Sequence, residues 1–154
     1  MTNNDILRRL RYTFDITDSQ MIKIFADAGK EVDRSDISNW MKKEEDPAYK
    51  NLVDKSLSYF LNGFIINRRG KKEGPLPNAE SKLNNNIILR KLKIALNLKD
   101  DDVLELLSYA DFRLSKHELS AFFRKPTQSQ FRKCKDQVIR NFLHGVQIGF
   151  KKEE

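Results

Sequence analysis

Two arginines and two aspartates stand at matched stations in this chain, Arg8 with Asp54 and Arg90 with Asp136, each 82 residues from its counterpart. A guanidinium and a carboxylate can form a bidentate pair that orients two elements. The spacing therefore predicts such a link in each half of the chain; the alternative is that both arginines face solvent and bind a phosphate. Other reactive groups do not recur. His117 corresponds to Ser35 and His144 to Asn62, and no glycine-rich phosphate loop, paired metal-ligand spacing or nucleophile-elbow serine is present. Asp100, Asp101 and Asp102 are consecutive, but only Asp100 has an acidic counterpart (Asp18), and three successive residues at a helix start cannot all face one ion. Cys134, the single cysteine, corresponds to Leu52 and reads as a small buried hydrophobe. It excludes an intrachain disulfide and fits a reducing, cytoplasmic compartment. These features predict a protein that is not an enzyme and needs no cofactor or metal.

The cations carry more information. Residues 1–70 hold 12 Lys and Arg against 11 Asp and Glu, residues 71–83 hold 3 against 2, and residues 84–154 hold 14 against 9. Of the net charge of +7, therefore, +5 belongs to the last segment, chiefly Arg113, Lys116, Arg124, Lys125, Arg132, Lys133, Lys135 and Arg140. An excess concentrated in this way points to a polyanionic partner.

The matched stations belong to an internal duplication. Residues 3–70 align with 85–152 at a constant offset of 82 and without gaps, with 15 of the 68 paired positions identical. The apolar positions coincide more often than the residues do, which indicates one helical unit written twice. Each copy is near the lower size limit for an independent core, so the two are expected to pack with pseudo-twofold symmetry and share a core. The predicted organisation is a first repeat over 1–70, a linker over 71–83 with its glycines and prolines, and a second repeat over 84–154.

Four helices are expected in each copy. The first runs from about Asp5 to Phe14 with Ile6, Leu7, Leu10 and Phe14 on one face, matched by Ile88, Leu89, Leu92 and Leu96. Asn3 or Asn4, and likewise Asn85 or Asn86, are the expected N-caps. The second begins at Thr17 and ends at Gly29, with its partner following Asp100. Capping boxes, Asp33 with Asp36 and Ser115 with Glu118, announce the third. Its inward stripe is Ile37, Trp40 and Met41, matched by Leu119, Phe122 and Phe123. The fourth runs from about Asp54 to Arg68 and from Asp136 to Phe150. Gly63 and Gly145 lie inside it, where glycine costs about 1 kcal/mol against alanine; its presence in both copies predicts a close helix crossing. No strand-like alternation occurs, and the longest apolar runs are too short to cross a bilayer. The fold class is all-α.

Helix two, the turn and helix three resemble a helix-turn-helix, although the turn is longer than the usual 3–4 residues. If helix three reads a polynucleotide, its outward face and exit offer Ser38, Asn39, Lys42 and Lys43 in the first copy. The second copy offers Ser120, Arg124 and Lys125, followed by Arg132 and Lys133. Asp36 and Glu118 lie close to that face and would repel phosphate unless engaged in capping.

NNDILRRLRY near the start, FLNGFIINRRGK before the linker, LNNNIILRKLKIAL after it and NFLHG near the end resemble the YehS-like family. The resemblance covers essentially the whole chain. It implies a bacterial cytoplasmic protein built from a duplicated helical domain of unknown function, and it supplies no activity, cofactor or catalytic residue. Its motif residues, Arg8, Gly63, Arg90 and Gly145 among them, are expected to be structural.

The working expectation is a small, non-catalytic regulatory protein that binds DNA or RNA through the basic second repeat and the helix-three ends. The alternative is an adaptor that binds another protein, or a second copy of the chain, through an apolar groove between the repeats. Tyr12 and Ile94, opposite the main stripe of helix one, would line that groove. No membrane association is expected.

Overall fold

A computed structural model describes residues 1–151; residues 152–154, the end of the expected second repeat, lie outside the described residues. Eight α-helices and no strands occur among the described residues. The first unit contains α1 (Asn3–Thr13), α2 (Asp18–Asp27), α3 (Arg34–Met41) and α4 (Asp54–Arg69). The second contains α5 (Asn85–Ala95), α6 (Asp100–Tyr109), α7 (Lys116–Ala121) and α8 (Asp136–Phe150). The chain is all-α and tandemly duplicated. Its first compact unit is Met1–Leu83 and its second begins at Asn84.

Local sequence sets the helix starts. Thr2 with Asp5, Thr17 with Gln20, Asp33 with Asp36 and Ser115 with Glu118 form reciprocal capping boxes. Asn84 Oδ1 accepts from Ile87 N–H at the start of α5. The caps of α1 and α5 are therefore Thr2 and Asn84, not the expected Asn3, Asn4, Asn85 or Asn86. The helix ends also match. Asp15 and Asn97 occupy the left-handed region at φ 49° and 55°, and Gly29 and its counterpart Asp111 do so at φ 92° and 55°. Asp and Asn tolerate this conformation better than other non-glycine residues, so replacing Gly29 by Asp111 preserves the turn.

The displaced asparagines do something that no local signal announces. Asn4 is fully buried. Its Nδ2 donates to the carbonyls of Trp40 (3.0 Å) and Lys50 (2.9 Å), and its Oδ1 accepts from Leu52 N–H (2.9 Å). Asn86 repeats this with Phe122, Arg132 and Cys134 at 2.9, 2.8 and 2.9 Å. One amide thus ties the start of the first helix to the end of the third and to both sides of the following loop. Next to it, Asn3 Nδ2 donates to Leu52 O and to an Asp54 carboxylate oxygen at 2.7 Å; Asn85 does the same to Cys134 O and Asp136.

These bonds overturn the expected Arg–Asp link. Asp54 is held by Asn3 and by Leu83 N–H (2.8 Å). Arg8 instead donates to Lys42 O at 2.9 Å and to Asp5 at 2.7 Å, both close to its own end of the fold. Arg90 is exposed and makes no such bond among the described residues. The physical reason is reach: the first turn of α1 abuts the start of α4, which favours the short amide over a guanidinium one turn further along.

Packing within each unit follows the expected faces. Ile37 and Trp40, like Leu119 and Phe122, are buried, while Met41 and Phe123 are half-buried. Phe25 lies between Trp40 and Phe60, with ring centroids 5.4 and 5.6 Å away. In the second unit Leu107 stands where Phe25 does, and its core is more aliphatic. The glycines mark the close crossings: a Cβ on Gly63 would lie 1.8 Å from Ile24 O, and one on Gly145 would lie 1.8 Å from Leu106 O. Ion pairs are duplicated too, Arg11–Asp18 (2.6 Å) with Lys93–Asp100 (2.5 Å). Asp101 faces Lys116 at 3.4 Å, and Asp102 accepts from Lys99 N–H, so the three consecutive aspartates have three separate tasks. The expected linker lies against the first unit: Glu80 N–H donates to Ser58 Oγ, and the Ser58 hydroxyl to the Glu80 carboxylate.

Three outcomes are expected. Gly63→Ala or Gly145→Ala should destabilise the chain by about 2 kcal/mol or more, since backbone must move; an unchanged urea midpoint would contradict the crossing. Asn4→Ala or Asn86→Ala leaves three buried backbone groups unpaired and should cost about 3 kcal/mol, measured in the same way. Burial, with help from Asp136, pushes the Cys134 thiol up to about 12. It should resist a thiol-disulfide reagent at about pH 8 in the native protein and react on unfolding; fast native labelling would contradict its burial.

Candidate nucleic-acid interface

The loop between α3 and α4 and the loop between α7 and α8 have one backbone and two surfaces. In the first, Asp46 N–H donates to Lys43 O, Tyr49 N–H to Asp46 O and Lys50 N–H to Asn39 O. In the second, Gln128 N–H donates to Lys125 O, Phe131 N–H to Gln128 O and Arg132 N–H to Ala121 O, every atom shifted by 82 residues. With the asparagine clamp, these backbone bonds hold the loop whatever its exposed side chains are. Across 42–53 and 124–135 only Lys43 and Lys125 are identical.

The charges diverge accordingly. Residues 42–53 carry three cations (Lys42, Lys43, Lys50) and three acids (Glu44, Glu45, Asp46). Residues 124–135 carry five cations (Arg124, Lys125, Arg132, Lys133, Lys135) and no acid. The second copy keeps the cations and lacks most of the groups that neutralise or bond them. Asp5, which holds Arg8, is replaced by Ile87, leaving Arg90 without a carboxylate among the described residues. Asn39, whose Oδ1 accepts from Lys42 Nζ at 2.9 Å, is replaced by Ala121. Arg124, the counterpart of Lys42, is half-buried with an Nε that has no hydrogen-bond partner among the described residues. The α5 clamp places Arg90 and Arg124 on neighbouring parts of this surface, because Asn86, one turn before Arg90, is bonded to Phe122 O.

The expected contact residues separate on this geometry. Lys125 and Lys133 are exposed and without a side-chain partner among the described residues. Arg132 is exposed but lies 3.5 Å from Glu118, as Lys50 lies 3.6 Å from Asp36, so this cation has a structural use in both copies. In the first copy Lys42 and Asn39 are bonded to each other, and exposed Lys43 is followed directly by three acids. Ser38 is exposed, whereas the Ser120 hydroxyl is committed to His117 O. Hydrogen bonding from Ser115 holds the Glu118 carboxyl below its ordinary value. Both Asp36 and Glu118 are engaged in capping, yet Glu118 keeps its charge on the α7 face. The cationic surface is thus the loop, and α7 lies at its edge.

Sequence reasoning did not single out Phe131. It is half-buried and, with Pro126, Lys133, Cys134 and the asparagines at 84–86, lines a cleft of about 400 Å³. The available signal was an aromatic residue at the same place in both polar loops, Tyr49 and Phe131. At the edge of the cleft a hydrogen bond from Asn85 holds the Asp136 carboxyl below its ordinary value.

Among the described residues, no helix is long and apolar enough to cross a membrane. No solved structure matches the chain. A relative from Escherichia coli (strain K12), "Uncharacterized protein YehS", is 41% identical over 147 residues, covering 95% of this chain and 94% of that protein. The family described as "Protein of unknown function (DUF1456)" matches twice, over residues 3–70 and 85–151, the two segments that the duplication and the helices delimit. The chain belongs to that YehS-like family, carrying two copies of its domain.

Proposed function

We propose that this protein is a small, non-catalytic regulatory binding protein that engages nucleic acid through the α7–α8 loop of its second repeat. One observation carries the reading: the second repeat retains the cations of the first on the same backbone while the groups that neutralise or bond them, Glu118 beside Arg132 excepted, are replaced. Lys42 has Asn39, and the basic pair is followed by Glu44, Glu45 and Asp46; Arg124 and Lys125 have Ala121, Pro126, Thr127 and Gln128 in those places. Unpaired cations that the fold does not use are a cost in self-repulsion. Phosphates along a polynucleotide would offset that cost and release counterions. The α3 exit of the first repeat, locally neutral and internally bonded, contributes little to this surface.

A second reading has one observation in its favour. Tyr12 and Ile94, at matched positions on α1 and α5, are 56% and 48% exposed. A protein partner seated on them would bind with little dependence on salt. Single exposed apolar residues are common on folded proteins, so the charge asymmetry is the stronger indication.

Fluorescence anisotropy with DNA and RNA at about 50 and about 200 mM salt tests the proposal. The parent should bind at the lower salt and weaken steeply at the higher. Replacing Arg124, Lys125 and Lys133 with Ala should weaken binding about tenfold or more and flatten the salt slope by roughly 2 to 3. Lys42→Ala with Lys43→Ala should change affinity less than about threefold, because their surroundings are already neutral. Absence of binding at the lower salt would overturn the nucleic-acid reading and favour the protein partner.

A further inference from the structure

We infer that the cleft beside Phe131 seats an unstacked base of a single-stranded polynucleotide, with Phe131 as the stacking face and Lys133 as the adjacent phosphate contact. The inference rests on the nucleic-acid reading above and specifies its ligand. Single-stranded polymers are held by a basic track interleaved with aromatic faces on which bases stack. Residues 124–135 have both parts: five cations without an acid, and one half-buried aromatic lining a cleft of about 400 Å³ together with Pro126 and Lys133.

The polar lining is complementary to a base edge. Asn84 uses its Oδ1 to cap α5, and its Nδ2 has no partner among the described residues. Asn85 uses its Nδ2 on Cys134 O and Asp136, and its Oδ1 has no partner among the described residues. A donor and an acceptor are therefore available at the rim, as recognition of a splayed base requires. Cys134 lines the cleft as a buried, protonated thiol and supplies only apolar surface.

A duplex fits this surface less well. Reading a major groove takes a helix with several free outward side chains. α7 has six residues, about 9 Å of helix. Its Ser120 hydroxyl is bonded to His117 O, and its Glu118 remains ionised towards solvent. The first repeat supplies an internal control. Tyr49 occupies the position of Phe131 in the same loop backbone, but Glu44 and Asn51 stand where Pro126 and Lys133 do.

Labelled single strands of about 12 nucleotides, oligo(dT) and oligo(U), and a duplex of the same length test the inference in the full chain. The parent should bind at least one single strand more tightly than the duplex. The 2′-hydroxyl comparison between the two strands then distinguishes DNA from RNA as the source of the base. Phe131→Leu keeps apolar bulk and removes the aromatic face. It should weaken single-strand binding by about fivefold or more, leaving the salt slope and duplex binding unchanged. Phe131→Tyr should bind like the parent, as should Tyr49→Leu, with melting temperatures reporting that each variant is folded. Phe131→Leu binding single strands as tightly as the parent, or weakening duplex and single strand alike, would overturn this inference. If the Arg124, Lys125 and Lys133 replacements still weakened binding, the nucleic-acid reading would stand without it. A parent that binds no polynucleotide would overturn both.

Discussion

The buried side-chain amide at the start of each repeat is the constraint on which the remaining structure depends. Asn4 and Asn86 each satisfy a carbonyl at the end of the third helix and a carbonyl and an N–H of the irregular loop that follows it. An asparagine amide offers two donors and two acceptor lone pairs, and here both donors and the oxygen are used. Backbone polar groups buried without a partner cost about 1–3 kcal/mol each, a large share of what a four-helix unit of this size can have in reserve. The amide lets the chain pass from the third helix to the fourth beneath the first without leaving such groups unpaired. Asn3 and Asn85 extend the arrangement to the carboxylate that opens the fourth helix.

A loop held by its backbone and by one distant side chain is free to change its exposed residues. The two copies have used that freedom in opposite directions. In the first, cations and acids balance, and Arg8 and Lys42 are bonded within the fold. In the second, Arg90, Arg124 and Lys125 lack the counterparts of those groups and Lys133 is added, while the asparagine bonds are retained atom for atom. Gly63 against Ile24 and Gly145 against Leu106 show the same retention in the core. Divergence in this exposed loop is directional in charge, while the bonds that hold the loop are kept. That combination is why the second loop, rather than a helix face, is the place to look for a partner.

The asparagines show where reading along the chain falls short. An Asn pair before an apolar run looks like a cap, because capping is what asparagine does locally. Thr2 and Asn84 take that role, one step earlier, and the pair reaches residues 36 to 51 positions away. Likewise, matched Arg and Asp residues look like partners, yet the carboxylate goes to the shorter side chain lying nearer to it. Both misreadings have one cause: a motif lists groups able to bond, and tertiary distance selects which of them do.

The sequence by itself determined the all-α class, the duplication at an offset of 82, the buried stripe of each helix, the third-helix capping boxes and the meaning of Gly63 and Gly145. Those features are periodic or local, and the duplication displays each of them twice. It also located the cationic excess in the second half. Only the tertiary structure decided that Lys42 is bonded while Arg124 Nε has no partner among the described residues, that Glu118 meets Arg132, and that Phe131, Pro126 and Lys133 share a cleft. Those outcomes depend on which side chains from distant segments reach the same few ångströms, and neither helical period nor charge count encodes that.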